Sequence, residues 1–265
     1  MQTEITPQGR NLSQKLTELW GARELVLLLA WRDFRVRYAQ TLIGVVWALF
    51  NPLINLLLLS FVFHRVAGLG TEGVPALLYA ATGLLGWTFF AESLAKSGES
   101  LLANQSMVRK IYFPRLALPL AAVLASIPDF LVNFLIILAL MVGYGYFEVH
   151  NLYGLIILLP GLLLLTISTG VWMSSLTIRF RDFRFIIPVL LRMGLFIIPI
   201  AYPASKIPQQ WQVLYFLNPL AGIIEGLKWS LLDTPFPPHH AWLGLPVLII
   251  LFVTGLMLFN RVETT

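Results

Sequence analysis

The sequence has little charge and no cysteine, and both absences narrow the class of protein. Only 12% of its residues are charged, whereas a soluble domain usually carries about 25%. Without cysteine the chain can form neither disulfides nor thiolate-bound metal sites. The net charge of +5 is modest and gives no reason to expect nucleic acid as a partner. No apolar run near the N-terminus marks a cleaved signal peptide, so we expect that terminus to stay on the side of synthesis.

The motifs of common enzyme classes are also absent. The chain contains no G-x-x-x-x-G-K-[ST] phosphate loop, no H-E-x-x-H and no G-x-S-x-G elbow. The histidines all fall in segments predicted to lie on the outer side of a membrane: His64, His150, His239 and His240. The last two could form a metal pair, but a solvated loop is the favoured interpretation. We therefore predict a chain that is not an enzyme and holds no metal or cofactor of its own.

Long apolar runs are abundant. Hydrophobic residues make up 58% of the chain, and they are gathered into segments near the length of about 20 residues that crosses a bilayer as a helix. We predict an all-α integral membrane protein with six transmembrane helices. The predicted spans cover residues 41–63, 75–94, 116–144, 152–176, 185–202 and 241–260. In the fourth, Thr166, Gly170 and Ser174 form a small-residue stripe suited to close helix packing.

Residues 1–40 are predicted to form a cytoplasmic N-terminus with an amphipathic helix in the membrane interface. The charges there are too dense for a span: they include Arg32, Asp33, Arg35 and Arg37. Asp33 and Arg37 stand four apart with the acid first, the order that favours an ion pair on a helix. Glu92 and Lys96 have the same spacing.

Residues 211–232 are predicted to form two short half-helices that dip into the membrane from the outer side. Asn218-Pro219 breaks this apolar stretch, and Glu225 and Lys228 lie in its second half. A seventh span over residues 211–232 is the alternative. The placement of basic residues favours six spans. Lys and Arg concentrate before the first span and in the loops after the second and fourth, which predicts that both termini are cytoplasmic.

Two ionisable residues fall inside predicted spans, where charge is costly and often functional. Asp129 either bonds within the bundle, beside Asn133, or serves transport. Arg192 either extends to the cytoplasmic interface or faces an anionic group such as a phosphate. Aromatic side chains near span ends either form an interfacial belt or line a conduit for sugar rings. The candidate channel residues are Trp47, Phe50, Asn51, Trp87, Phe90, Asp129 and Arg192.

Five motifs occur in an order that resembles the permease subunit of ABC type-2 exporters. They are W-R-D-F-R-V-R-Y-x-Q-T-x-x-G-x-x-W-A-x-x-x-P-L, N-x-x-M-V-R-K-I-Y-F-P-x-x-x-L-P, R-F-R-D, P-I-A-Y-P and L-N-P-L. The resemblance extends from about Trp20 to the end of the chain, and its first two motifs are the more specific. It is strongest to the group that exports polysaccharides such as lipid-linked O-antigen, capsule-like glycans or teichoic acid.

The resemblance implies a homodimer in the cell (inner) membrane, paired with two copies of a separate ATPase that binds ATP and Mg. It also implies that residues 98–110, a segment that could otherwise be a plain connecting loop, form a coupling helix against that ATPase. The coupling residues would be Glu99, Asn104, Val108, Arg109, Lys110, Arg179, Arg181 and Asp182. The region 205–232 would be an outer gate, with Asn218, Pro219 and Glu225 as its candidate residues.

Three alternatives to a glycan exporter remain at this point. Relatives in the broader class move drugs or other lipids. An integral membrane glycan-processing enzyme is disfavoured because the cytoplasmic loops are basic and not rich in carboxylates. A scaffold subunit is the third.

The tetrapeptide RDFR occurs at residues 32–35 and 181–184 without similar flanks, which indicates a shared position at the cytoplasmic entry of a span and not a duplication.

Overall fold

In the computed structural model, which describes residues 12–38, 44–110, 113–146 and 151–263, all regular structure is helical. The prediction of an all-α protein is confirmed for this part of the chain. The α-helices are α1 (Leu12–Gly21), α2 (Arg23–Tyr38), α3 (Gly44–Ser60), α4 (Ala76–Ala103), α5 (Gln105–Lys110), α6 (Ala117–Leu124), α7 (Ile127–Tyr144), α8 (Leu155–Arg179), α9 (Phe183–Ile197), α10 (Gln209–Phe216), α11 (Pro219–Leu232) and α12 (Gly244–Glu263). A π-helical segment, Phe61–Val66, continues α3.

Within the part of the chain that the structure describes, three helical segments are long and apolar enough to cross a membrane. They are Ala117–Tyr144, Leu152–Arg179 and His239–Val262. They correspond to the predicted third, fourth and sixth spans. A shorter apolar segment, Pro52–Val66, lies at the end of the predicted first span. The total of six spans stays a prediction.

Proline residues break two of the predicted spans. The third is divided into α6 and α7, and Pro128 stands in the first turn of α7, where its missing N–H group costs nothing. The fifth is shorter than predicted, because α9 ends at Ile197 and residues 198–202 run as bends. The residue before a proline disfavours helical geometry, so Pro199 accounts for this end. The predicted span of 185–202 therefore extends too far.

Helix α4 lies at the centre of the bundle and packs against α3, α6, α7, α8, α9 and α11. Its glycines permit close approach. A Cβ atom at Gly83 would lie 2.0 Å from the carbonyl oxygen of Ile200, so the bent chain after α9 crosses directly over α4. The small-residue stripe on α8 is buried, and a Cβ at Gly170 would lie 2.5 Å from Ser97 Oγ of α4. The predicted close packing of this stripe is confirmed.

Helix α2 lies against α6 and buries one face. Val26, Leu29 and Ala30 are buried in a cluster that includes Ala117 of α6 and Phe259 of α12. Its other apolar side chains are exposed: Leu27 (61%), Leu28 (65%) and Trp31 (62%). A helix with one face in protein and a second apolar face uncovered suits the surface of a membrane.

The predicted coupling segment, residues 98–110, is not one helix. Its first part continues α4 as far as Ala103, and Asn104 then ends that helix before α5 begins. In the predicted outer segment, α10 and α11 are separate helices of 8 and 14 residues. Each is shorter than the roughly 20 residues needed to span a bilayer. Asn218 begins α11 by accepting a hydrogen bond from the backbone nitrogen of Leu220 (3.1 Å).

Candidate functional site

Two groups of charged, hydrogen-bonded side chains lie towards opposite ends of α4. The first, which we call the junction cluster, consists of Arg37, Tyr38, Glu92, Lys96 and Asp129. Arg37 and Tyr38 at the end of α2 both donate hydrogen bonds to the Asp129 carboxylate in the first turn of α7. Lys96 of α4 lies 3.8 Å from Asp129 and 3.0 Å from Glu92. The cluster therefore joins α2, α4 and α7.

The charges in the junction cluster support one another. Burial, together with the hydrogen bond to Asp129 and its charge, raises the pKa of the Tyr38 hydroxyl to about 12, so Tyr38 remains a neutral donor at ordinary pH. The Asp129 carboxylate also lies in the first turn of a helix, where negative charge is favoured. Lys96 additionally donates to Ser126 Oγ (3.3 Å) at the break between α6 and α7.

Two ion pairs were predicted from the spacing of charges along a helix, and one of them forms. The Glu92–Lys96 ion pair is confirmed at 3.0 Å. The expected Asp33–Arg37 pair is wrong, since Asp33 pairs with Arg32 (2.7 Å) and Arg37 pairs with Asp129. Asp33 is already paired with Arg32, and the more buried Asp129 carboxylate attracts Arg37 through a less screened charge.

Both RDFR tetrapeptides contact the last turns of α4. Arg32 of the first copy donates to Asn104 Oδ1 (2.9 Å), and Asn104 in turn donates to the carbonyl of Ser100 (2.8 Å). Arg184 of the second copy lies 3.2 Å from Glu99. Two of the predicted coupling residues thus tie the end of α4 to its neighbours: Asn104 to α2, and Glu99 to the first turn of α9. The flanks of the tetrapeptides gave no sign of this convergence.

The remaining predicted coupling residues differ in exposure. Val108 is partly buried against the cluster that holds α2. The basic residues are exposed: Arg109, Lys110, Arg179 and Arg181. Asp182 is also exposed and stands at the start of α9 without a side-chain capping bond. Arg35 on α2 is exposed too. Together these charges form a largely cationic surface beside the α4 end.

The second group, which we call the Lys228 cluster, lies at the other end of α4. The Lys228 side chain is 0% exposed. Its three N–H groups are shared among four acceptors within hydrogen-bonding distance of Nζ: the carbonyls of Pro199 (2.5 Å) and Tyr202 (3.1 Å), the Tyr79 hydroxyl (3.2 Å) and Glu225 Oε1 (2.9 Å). It also lies 4.2 Å from the centre of the Tyr79 ring. One cation therefore ties α11 to α4 and to the bent chain that follows α9.

The roles of Lys228 and Tyr79 were not predicted from the sequence. Glu225 was identified, and a lysine three residues after it in an apolar half-helix is the signal that could have pointed to the pair. The two carbonyl acceptors follow no sequence pattern. They are free because the residues around Pro199 leave the helix.

Further contacts at the same end of the bundle involve the segments next to the Lys228 cluster. The Phe63 ring of the π-helical segment stacks on Tyr202 with 5.9 Å between centres. In the loop before α4, burial and then the charge of Glu225 raise the pKa of Glu72, which accepts a hydrogen bond from Ser205 (3.3 Å). Pro219, a predicted gate residue, is buried at the start of α11.

The candidate channel residues whose side chains the structure describes lie in different surroundings within this single chain. Phe50 is 48% exposed, Phe90 is half-buried, and Trp87 is buried. The Trp87 ring lies over Gly194 of α9, where a Cβ would be 2.5 Å away. Asp129 belongs to the junction cluster. The side chains of Trp47 and Asn51 lie outside the described part of the chain.

Arg192 differs from the other charges of the predicted spans. It is exposed, and it shares a face of α9 with the exposed side chains of Val189 (54%) and Phe196 (58%). Among the residues that the structure describes, it has no ion-pair partner. A cation on an uncovered apolar face requires a partner from outside this chain, or access to water.

Comparison with known proteins finds a matching family and several named relatives. The family model described as ABC-2 type transporter matches residues 24–232. The O-antigen export system permease protein RfbA of Klebsiella pneumoniae is 28% identical over 243 residues, covering 91% of this chain and 92% of the relative. RfbA of Myxococcus xanthus is 24% identical, covering 80% and 81%. The polysialic acid transport protein KpsM of Escherichia coli is 24% identical, covering 73% and 76%.

Proposed function

The chain belongs to the ABC-2 type transporter family, and we propose that it is the permease subunit of an ATP-driven exporter of a lipid-linked polysaccharide. The observation that carries this proposal is the similarity to O-antigen export permeases, which extends over nine-tenths of both chains. The long apolar helices agree with a multi-pass membrane protein. The substrate class is O-antigen-like, capsule-like or teichoic acid.

The proposed topology has six spans, with both termini in the cytoplasm and the protein in the cell (inner) membrane. Three segments have the necessary length and hydropathy. The others would be α3 with its π-helical extension, the first part of α4, and α9. The exposed cations beside the α4 end would then lie in the cytoplasm, as their number favours. Helices α10 and α11 would enter the membrane from the outer side and return.

We propose a homodimer whose two copies meet along α9 and α3. Their uncovered apolar side chains are a suitable surface, and on α9 they include Phe185 (74%), Met193 (57%) and Ile197 (58%). A twofold axis here would place Arg192 of each copy near the space between the subunits. In that position Arg192 could attract the phosphate that links a glycan to its lipid carrier.

The cytoplasmic partner would be two copies of an ATPase, which bind ATP and Mg. Its docking surface on this chain would be α5, the end of α8 and the loop before α9, which carry the exposed Arg109, Lys110, Arg179 and Arg181. The contacts of Arg32 with Asn104 and of Arg184 with Glu99 make this surface continuous with α2. A movement of the ATPase would therefore reach the interface helix through the end of α4. Asn218, Pro219 and Glu225 would belong to the gate at the opposite end.

The test is to purify the chain with a co-expressed ATPase subunit and to measure export of surface polysaccharide in cells. We expect a stable complex whose ATP hydrolysis is impaired by Arg109→Glu/Lys110→Glu, and cells that lose surface glycan. Lys206→Glu, a charge reversal at an exposed lysine on the other side, is the matched control. A chain that binds no ATPase, or export that continues without the chain, contradicts the proposal. Transport of a drug with normal glycan export would instead place it in another branch of the family.

A further inference from the structure

An apolar cavity lies between α8, α11 and α12, apart from both polar clusters. Its volume is about 390 Å³, within the range of ligand pockets. Aliphatic and aromatic side chains, glycine and proline form its walls, and none of the described residues that line it carries a charge. Trp229, Phe236 and Trp242 stand in sequence along one side, with ring centres 5.0 Å and 6.4 Å apart.

We propose that this cavity binds an acyl chain of a bilayer phospholipid. A sugar ring, the other ligand that aromatic walls suit, needs several hydrogen-bonding side chains to replace its contacts with water. The Tyr153 hydroxyl already donates to Asn151 (3.3 Å), and the rest of the wall offers chiefly the indole nitrogens of Trp229 and Trp242. Hydrocarbon is therefore the better match to this lining.

The mouth of the cavity is continuous with surface that faces lipid. Ile157 of α8 and Leu245 of α12 line it and are 73% and 48% exposed. The exposed Ile156 (76%) and Ile249 (62%) extend that apolar surface along the same two helices. These helices belong to segments that are long and apolar enough to cross the membrane. A lipid beside them can insert a chain without leaving the bilayer.

Gly161 leaves one wall of the cavity open, and α11 forms another wall. A Cβ at Gly161 would meet nothing within 4 Å, so this wall position is open. On α11, Gly222, Gly226 and Trp229 line the cavity, whereas Lys228 points away from it into its own cluster. A bound chain would therefore hold α11 from the side opposite to the lysine.

The test uses the full chain in nanodiscs of phosphatidylethanolamine that contain a phospholipid with a diazirine on its acyl chain. After illumination, peptide mass spectrometry should find label concentrated at Ile157, Trp229 and Leu245. Gly161→Phe fills the open wall and should reduce this labelling roughly tenfold, the effect of about 1.4 kcal/mol in affinity. Gly143→Phe places the same ring at an open position on α7 and should leave it unchanged.

Equal labelling of all lipid-exposed helices, or unchanged labelling in Gly161→Phe, would overturn the proposal. So would loss of the label on adding a small amount of polyprenyl phosphate, which would assign the cavity to the carrier of the transported glycan. If Gly161→Phe does not fold, as judged by gel filtration, Leu245→Trp narrows the mouth from an exposed position and must give the same reduction. The measurement needs neither ATPase nor export, so it is independent of the proposed function.

Discussion

The Lys228 cluster and the junction cluster use charge in different ways. In the first, a single lysine that is 0% exposed is shared by backbone carbonyls, a hydroxyl and one carboxylate. In the second, cationic and anionic side chains neutralise one another and stay partly exposed: Arg37 is 29% exposed, Lys96 31% and Glu92 45%. A buried charge with fixed partners is expensive to leave unpaired, whereas a half-exposed network can be re-solvated. The Lys228 cluster should therefore be rigid, and the junction cluster adaptable.

The substitution with the largest expected effect is Lys228→Met. It leaves Glu225 and two carbonyls without their donor in a buried site, and breaking such a pair typically costs about 3–5 kcal/mol. We expect a large fall in the melting temperature of the purified protein and loss of export. Lys206→Met removes an exposed lysine and should change neither.

The double variant Lys228→Met/Glu225→Leu sharpens this test. Because it removes both charges, the remaining penalty is that of the two carbonyls, and we expect stability to recover in part. A double variant as unstable as the single one would show that the carbonyl contacts, and not the charge pair, hold α11.

Asp129→Asn should have a smaller effect. It keeps the shape of the side chain but removes the charge that Arg37 and Lys96 share, and a partly exposed contact of this kind should contribute about 1–3 kcal/mol. A double-mutant cycle with Arg37→Met, followed by thermal unfolding, measures the coupling between α2 and α7. Additive effects of the two substitutions would contradict the pairing.

Much of the helical framework could be predicted from the sequence, since long apolar runs and dense charges have direct physical meanings. Prediction failed where the backbone leaves regular helix. Pro199 ended α9 early, and the carbonyls released there became the acceptors for Lys228. No periodicity marks that arrangement. The junction cluster was predicted only in part. Its charged residues stand out in the sequence, but helical spacing predicted Asp33 as the partner of Arg37. The actual partner, Asp129, is 92 positions away along the chain.

Glu99→Gln tests the exposed pair between α4 and the first turn of α9. Both side chains are about half exposed, at 47% for Glu99 and 61% for Arg184. Exposed pairs contribute about 0.2–1 kcal/mol, so the melting temperature should hardly change. We expect the measurable effect in ATP hydrolysis of the complex, where substrate should stimulate the rate less. Arg184→Gln should give the same phenotype, and the double variant should be no worse than either single one.

The smallest effect on stability is expected from Asp182→Ala in the second RDFR copy. Asp182 is exposed and makes no capping bond, in contrast to Asp33 of the first copy, which is tied to Arg32. Its removal should shift the melting temperature by no more than about 2 °C. Because Asp182 stands among exposed arginines on the proposed docking surface, we expect it to act on the partner, so that the ATPase dissociates faster from the variant. The dissociation rate of the purified complex, measured by surface plasmon resonance at two salt concentrations, distinguishes a contact with the ATPase from a purely topological role. A rate equal to that of the unmodified chain, with normal export, would mean that the second copy only anchors the start of α9.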